Sequence, residues 1–165
     1  MPDDAEPSFP SGAVGHDHFE QTEGLTEGAL YAASMRDFNT IIARFDVVGW
    51  DPAELPGIEG DWVGGVTMKK TYTSGITGSS VAHFLSSGEE GARGYLAAER
   101  ITGSLGDGRH GAFTVHHGGI QSGEGGSTFG HIIPGSGTDD FAGFAGGAII
   151  SHDDGGAFFT FSLTR

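Results

Sequence analysis

The sequence predicts an all-β chain of about eight antiparallel strands, closed as an up-and-down barrel or packed as a sandwich. Two observations carry that expectation. From Thr40 onward, apolar and polar residues alternate in short runs, with turn signals roughly every ten to fifteen residues. Glycine supplies 31 of the 165 residues, against an average usage of about 7%. It shows no collagen period and is interleaved with aromatic and aliphatic residues. That pattern suits turns, bulges and inner faces of a closed sheet, where a missing side chain leaves room.

Residues 1–24 are rich in Pro, Gly, Asp and Glu and read as an irregular extension. Within them, His16-Asp17-His18 is a weak metal pattern; a solvated acidic tail is the simpler reading. Residues 26–38 are the one helix candidate, with Thr26 as N-cap and Glu27 in the first turn, where the helix dipole favours an acid. Such a helix serves as a lid over a barrel end or as a surface packing element. The expected division is an extension over 1–40 and a β domain over 41–165.

The first predicted strand, Ile41 to Trp50, sets Ala43, Phe45 and Val47 against Ile42, Arg44, Asp46 and Val48. Asp51-Pro52 ends it and opens a loop over 51–61. The second, Trp62 to Thr73, collects Val66, Met68, Lys70 and Tyr72 on one face. The third, Thr77 to Ser86, carries His83. The fourth and fifth are the hairpin within Gly94–Gly119. The sixth, Ser127 to Ile133, puts Phe129 and His131 on one side before Pro134 to Gly137 breaks it. Strands over 141–151 and 157–164 complete the set.

The hairpin concentrates the chemistry. Tyr95, Ala97, Glu99 and Ile101 share one face of its first strand, and Phe113, Val115 and His117 share one face of its second. Its turn contains Asp107-Gly108, a strong short-range hairpin signal. Pairing Ser104 with His110 sets Glu99 opposite Val115 and diagonal to His117. A Glu and a His then share a face with Tyr95 and Phe113. This is either a polar site in an apolar cavity or a satisfied pair inside a barrel.

Composition excludes several classes. No cysteine is present, so disulfides, thiolate chemistry and Cys-type metal sites are out. The net charge is −14, from 22 acids and 8 bases; this disfavours nucleic acid and anionic membrane surfaces as partners. Only Lys69-Lys70 forms a basic pair. The N-terminal MPDDAEPSFPSG shows neither a basic n-region nor an apolar h-region, and no run is long enough to span a membrane as a helix, so a cytoplasmic location is expected. There is no G-x-S-x-G elbow and no phosphate-binding glycine loop ahead of a helix.

Three stretches, KKTYTSGITGSS (69–80), GYLAAERITGSLGDGRHGAFTVHHGG (94–119) and IIPGSGTDDFAGFAGG (132–147), resemble the DUF3224 family of small bacterial proteins without an assigned function. The family pattern is a K-x-[FY]-x-G-x-x-x-G-x-S strand, a Y-x-x-x-E-R-x-T-G-x-L hairpin closing on F-x-x-x-H-x-G, and a V-x-P-G-S-G-T element. Ser74 stands where the first pattern has glycine. The resemblance covers about residues 42–165. It implies an eight-stranded antiparallel barrel similar to allene oxide cyclases, and by analogy a cofactor-independent cyclisation or isomerisation of an apolar substrate. Fold does not itself imply function.

The expected site follows. Glu99 and His117 form a candidate acid–base pair, and Tyr95 a candidate donor to a substrate carbonyl or enolate. Trp50, Trp62, Met68, Tyr72, His83, Phe113, Phe129 and His131 are candidate ligand contacts. Three inward histidines would open a zinc reading; no metal or cofactor is expected, and His116 is the histidine set aside first, because it faces opposite to His117. Arg100 points away from Glu99, towards external partners, and PGSGT (134–138) reads as a structural turn. The expected partner is a small apolar metabolite, with a homo-oligomer left open. The alternatives are a lipocalin-like binding barrel and a structural barrel with a filled interior. A cavity of roughly 300 Å³ or more separates the first two from the third.

Overall fold

The structure, a computed structural model, describes residues 40–123 and 125–164. The predicted helix at 26–38 and His16-Asp17-His18 lie outside them. Eight strands run in order: β1 (Thr40–Ala53), β2 (Gly64–Ser74), β3 (Ile76–Glu89), β4 (Ala92–Leu105), β5 (His110–Ser122), β6 (Gly125–Ile132), β7 (Gly146–Asp153) and β8 (Gly156–Leu163). Each pairs antiparallel with its neighbour in sequence, and β8 pairs with β1, so the sheet closes into a barrel. Closure gives every strand two neighbours, and eight strands leave an interior that side chains can fill.

The predicted registers hold in the hairpin. Ser104 pairs with His110 and Glu99 with Val115. The turn differs in type. Asp107 keeps a negative φ, and Gly108 alone takes the left-handed conformation, at φ 89°. Leu105 N–H donates to the Arg109 carbonyl at 2.8 Å, so three residues close the loop.

β1 runs past the predicted stop at Asp51-Pro52 to Ala53. β8 pairs with β1 only from Thr40 to Arg44, so the flank beside Pro52 has no partner there, and a proline is tolerated. β1 also carries a bulge. The register slips between Val47 and Gly49, leaving Val48 unpaired and exposed. Before the slip Ala43, Phe45 and Val47 face inward; after it Trp50 stands opposite Met68 and joins the inner face.

The predicted seventh strand is shortened at its start. Asp139–Phe141 forms a 3-10 turn, and β7 begins only at Gly146. Phe141 and Phe144 fold back into the barrel instead, stacked with centroids 4.7 Å apart. The PGSGT segment is structural, as expected. Where β6 stops, it continues the pairing of β5: Thr138 N–H donates to the Ala112 carbonyl, and the Ser136 hydroxyl accepts from Thr114 N–H, both at 2.9 Å. Arg100 lies outside and binds the Ser136 carbonyl at 2.6 Å, a hydrogen bond in place of a salt bridge.

The inner faces form two apolar clusters. One closes an end of the barrel around Ile76, Phe113, Phe141, Phe144 and Phe161. The other, Met68, Ala82, Phe84, Tyr95 and Ala97, lies towards the opposite end, which we call the mouth. Among the described residues no helix is long and apolar enough to cross a membrane.

Candidate functional site

Between the two clusters sits a buried polar network centred on Glu99. Alternation places Lys70 and Tyr72 of β2, Ser80 of β3, Tyr95 and Glu99 of β4 and His117 of β5 on the inner face. The Glu99 carboxylate is 0% exposed. It accepts hydrogen bonds from Lys70 Nζ at 2.7 Å, the Tyr72 hydroxyl at 2.7 Å, the Ser80 hydroxyl at 2.5 Å and His117 Nε2 at 3.1 Å. Lys70 lies over the Phe45 ring, 4.2 Å from its centroid, and forms a fully buried ion pair with Glu99.

The electrostatics assign the roles. Burial alone would raise the Glu99 pKa, but the Lys70 charge and the His117 hydrogen bond outweigh it and hold the carboxyl well below the usual range. The balance favours the ionised carboxylate. Burial lowers the His117 pKa below its ordinary 6.5, against the pull of Glu99 and with help from the Lys70 charge. A neutral imidazole next to an ionised carboxylate carries its proton on Nε2, which leaves Nδ1 as the acceptor. Nδ1 lies 3.3 Å from the Tyr95 hydroxyl. Burial and the Glu99 charge both push the Tyr95 pKa upward. The Glu–His pair is thus not a balanced acid and base. The shifts favour an ionised Glu99 and a neutral His117 whose Nδ1 faces the Tyr95 hydroxyl.

His117, Tyr95 and Lys70 line a narrow throat of about 70 Å³, together with Met68, Phe84 and Trp50. Above it a pocket of about 360 Å³ opens at the mouth, and shares Trp50, Phe84 and Tyr95 with the throat. Trp50 and Trp62 both line that pocket. Gly119 permits the arrangement: a Cβ there would meet the Tyr95 ring at 2.8 Å, so a side chain would displace the ring.

Other predicted contacts fall elsewhere. Phe113 is inward but lies in the closed half, edge-on to Phe141 and Phe161, away from the throat. Tyr72 is spent on Glu99. His83, Phe129 and His131 are on the outer face, because Ala82 and Phe84 of β3 and Gly130 and Ile132 of β6 take the inner positions. The Phe129 ring covers Gly118 from outside. Trp62 is 64% exposed and also borders an outer apolar groove of about 670 Å³. Of the three histidines considered for zinc, only His117 is inward; among the described residues no three His, Asp or Glu side chains could hold a metal ion.

Two members of the network, Lys70 and Ser80, were not among the predicted site residues. The signal for Lys70 was present: it alternates with Val66, Met68 and Tyr72, and a lysine on an apolar inner face requires a buried carboxylate. Ser80 occupies the final position of the first family pattern, and Lys70 and Tyr72 its first and third.

A crystal structure of a protein with unknown function from the DUF3224 family, from Shewanella oneidensis MR-1, is similar, with a TM-score of 0.65 and 26% identity, covering 76% of this chain and 95% of that one. No curated protein matches. The family model for proteins of unknown function DUF3224 matches residues 41–163. The match spans the closed barrel and every residue of the Glu99 network, and on that ground the chain belongs to the DUF3224 family.

Proposed function

We propose that the barrel binds a small, largely apolar metabolite through its mouth and isomerises or cyclises it without a cofactor, with His117 as the proton-transfer group. The observation that supports this reading is the His117 ring. One nitrogen is pinned by an ionised carboxylate, and the other meets Tyr95 at the wall of a throat. Such a dyad raises the basicity of the free nitrogen when a proton arrives, because Glu99 stabilises the imidazolium. Nδ1 takes a proton from a carbon next to a carbonyl, the Tyr95 hydroxyl turns to hydrogen-bond the enolate oxygen, and the proton returns at another position of the same substrate.

The test is hydrogen–deuterium exchange at carbons next to the carbonyl of small aryl and cyclic ketones in D₂O, followed by proton NMR. The native chain accelerates exchange, and His117→Phe abolishes it. Equal exchange by both proteins sinks the reading.

One observation favours the structural alternative. The throat is well below the roughly 300 Å³ of ordinary ligand pockets, and among the described residues no buried side-chain polar atom lacks a partner. A filled barrel would bind no small molecule at the mouth, whereas a lipocalin-like barrel would bind one without turning it over.

A further inference from the structure

Arg93 is the first inward residue of β4 at the mouth, two positions before Tyr95 and six before Glu99. Its parity sends it inward, it is only half exposed, and it lines the mouth pocket beside Trp50, Phe84 and Ser86. Among the described residues Arg93 has neither an ion pair nor a side-chain hydrogen bond. Charge balance makes this unusual. The chain carries 22 acids against 8 bases, so carboxylates are plentiful, and Arg44 and Arg109 both hold one. Among the described residues nothing takes its fork of donors, and the residue lines the pocket.

From this we infer that Arg93 recognises the carboxylate of a small acid whose apolar or aromatic body enters the throat; the inference rests on the ligand-binding reading above. A planar guanidinium matches a carboxylate with two parallel hydrogen bonds, which sets orientation as well as affinity. The pocket supplies the rest in order of depth. Ser86 and Arg93 sit at the rim, Trp50 and Phe84 form an aromatic collar with centroids 5.5 Å apart, and Tyr95 with His117 lies beneath. An acid held by its head at Arg93 presents its far end to His117. Asp61 also lines the mouth and opposes an anion, so it limits affinity. Arg93 is absent from the lining of the outer apolar groove, so dependence on Arg93 reports the mouth alone.

The chain has two tryptophans, and both border this pocket, so their fluorescence reads occupancy. The probes are benzoate, phenylacetate and 3-phenylpropanoate, each against its primary amide. The carboxylates bind about tenfold tighter than the amides, the size of one charge-assisted contact. Arg93→Gln removes that preference while the amides bind as before, Arg109→Gln at the hairpin turn changes nothing, and Asp61→Asn tightens the acids. Equal binding of acids and amides to the native chain, unaffected by Arg93→Gln, overturns the role of Arg93 while the ligand-binding reading stands. No binding by any probe overturns that reading, and this inference with it.

Discussion

The two halves of the barrel share eight strands and one inward parity, yet they are filled in opposite ways. The closed half packs aromatic rings against one another: Phe113 edge-on to Phe161 at 5.4 Å, Phe159 stacked on Phe161 at 5.0 Å, and Phe141 on Phe144. The mouth half mixes polar side chains with the Trp50, Phe84 and Tyr95 rings around a pocket, Phe84 stacked on Tyr95 at 4.7 Å. The Glu99 network is the boundary. Dense ring packing gives one end its stability, and that leaves the other free to hold open space and a neutral histidine. A barrel filled evenly from end to end would have no room for a ligand.

The largest effects should come from the boundary and the closed half. Glu99→Gln leaves the Lys70 charge buried without its partner and costs about 3–5 kcal/mol, the usual price of breaking a buried pair. Phe113→Ala removes a fully buried ring and also costs about 3–5 kcal/mol. Denaturant unfolding measures both, and a loss under about 1 kcal/mol for either would dissolve the contrast between the halves. Replacing both charges at once, Lys70→Met with Glu99→Gln, should recover most of the first loss, since no buried charge is then left without its partner and the amide oxygen introduced at position 99 still accepts from Tyr72 and Ser80. Failure to recover would mean that the pair is needed for the fold itself.

The pH dependence is the next effect in size. Both folded-state pKa values are lowered, so both groups give stability that is complete at high pH and lost on acidification. Below about 6.5 the unfolded chain protonates His117 while the folded barrel resists; below about 4.5 the same holds for Glu99. The denaturation midpoint should therefore fall in two stages, one as pH drops below about 6.5 and one as it drops below about 4.5, and His117→Phe should remove the upper one. A midpoint that rises on acidification would reverse the assignment of a neutral His117.

Tyr95→Phe loses one hydrogen bond at the mouth and should cost only about 0.5–1.5 kcal/mol, while slowing ketone exchange by about 10²-fold or more. Stability and activity falling together would place Tyr95 with the packing residues instead. The smallest effect belongs to the outer histidines. His83→Ala and His131→Ala should leave both the unfolding midpoint and ligand binding unchanged, since both residues face away from the barrel interior.

Much of this was legible along the chain. Period-two alternation grouped Phe45 with Ala43 and Val47, Met68 and Lys70 with Tyr72, and, through the hairpin register, Tyr95 and Glu99 with Phe113 and His117, because a strand offers only two faces; the pairing of β1, β2, β3 and β4 joined these groups on one inner surface. Asp107-Gly108 set the hairpin register and so the Glu99–Val115 pairing. Residue type alone marks His83, Phe129 and His131 as ligand-contact candidates, but only the register says which parity of β3 and β6 is inward, and it puts all three on the outer face, where His83 and Phe129 border apolar grooves. Trp50 reached the mouth through a bulge at Val48 that no periodicity announces.

Alternation, turn chemistry and the family motifs were enough to specify an all-β barrel and a Glu–His face, since each depends on neighbours within a few residues. Closure decided the rest. It set the height of each inward residue along the barrel axis, so that Phe113 became packing and His117 a throat residue four positions later. It also brought Lys70, Tyr72 and Ser80 from two other strands onto one carboxylate. The protonation state of a buried group depends on all the charges around it, and those charges come from strands far apart in sequence. That is why the hairpin shows a Glu–His face but only the barrel shows that, against burial, the Lys70 charge and the His117 hydrogen bond hold the Glu99 carboxyl low.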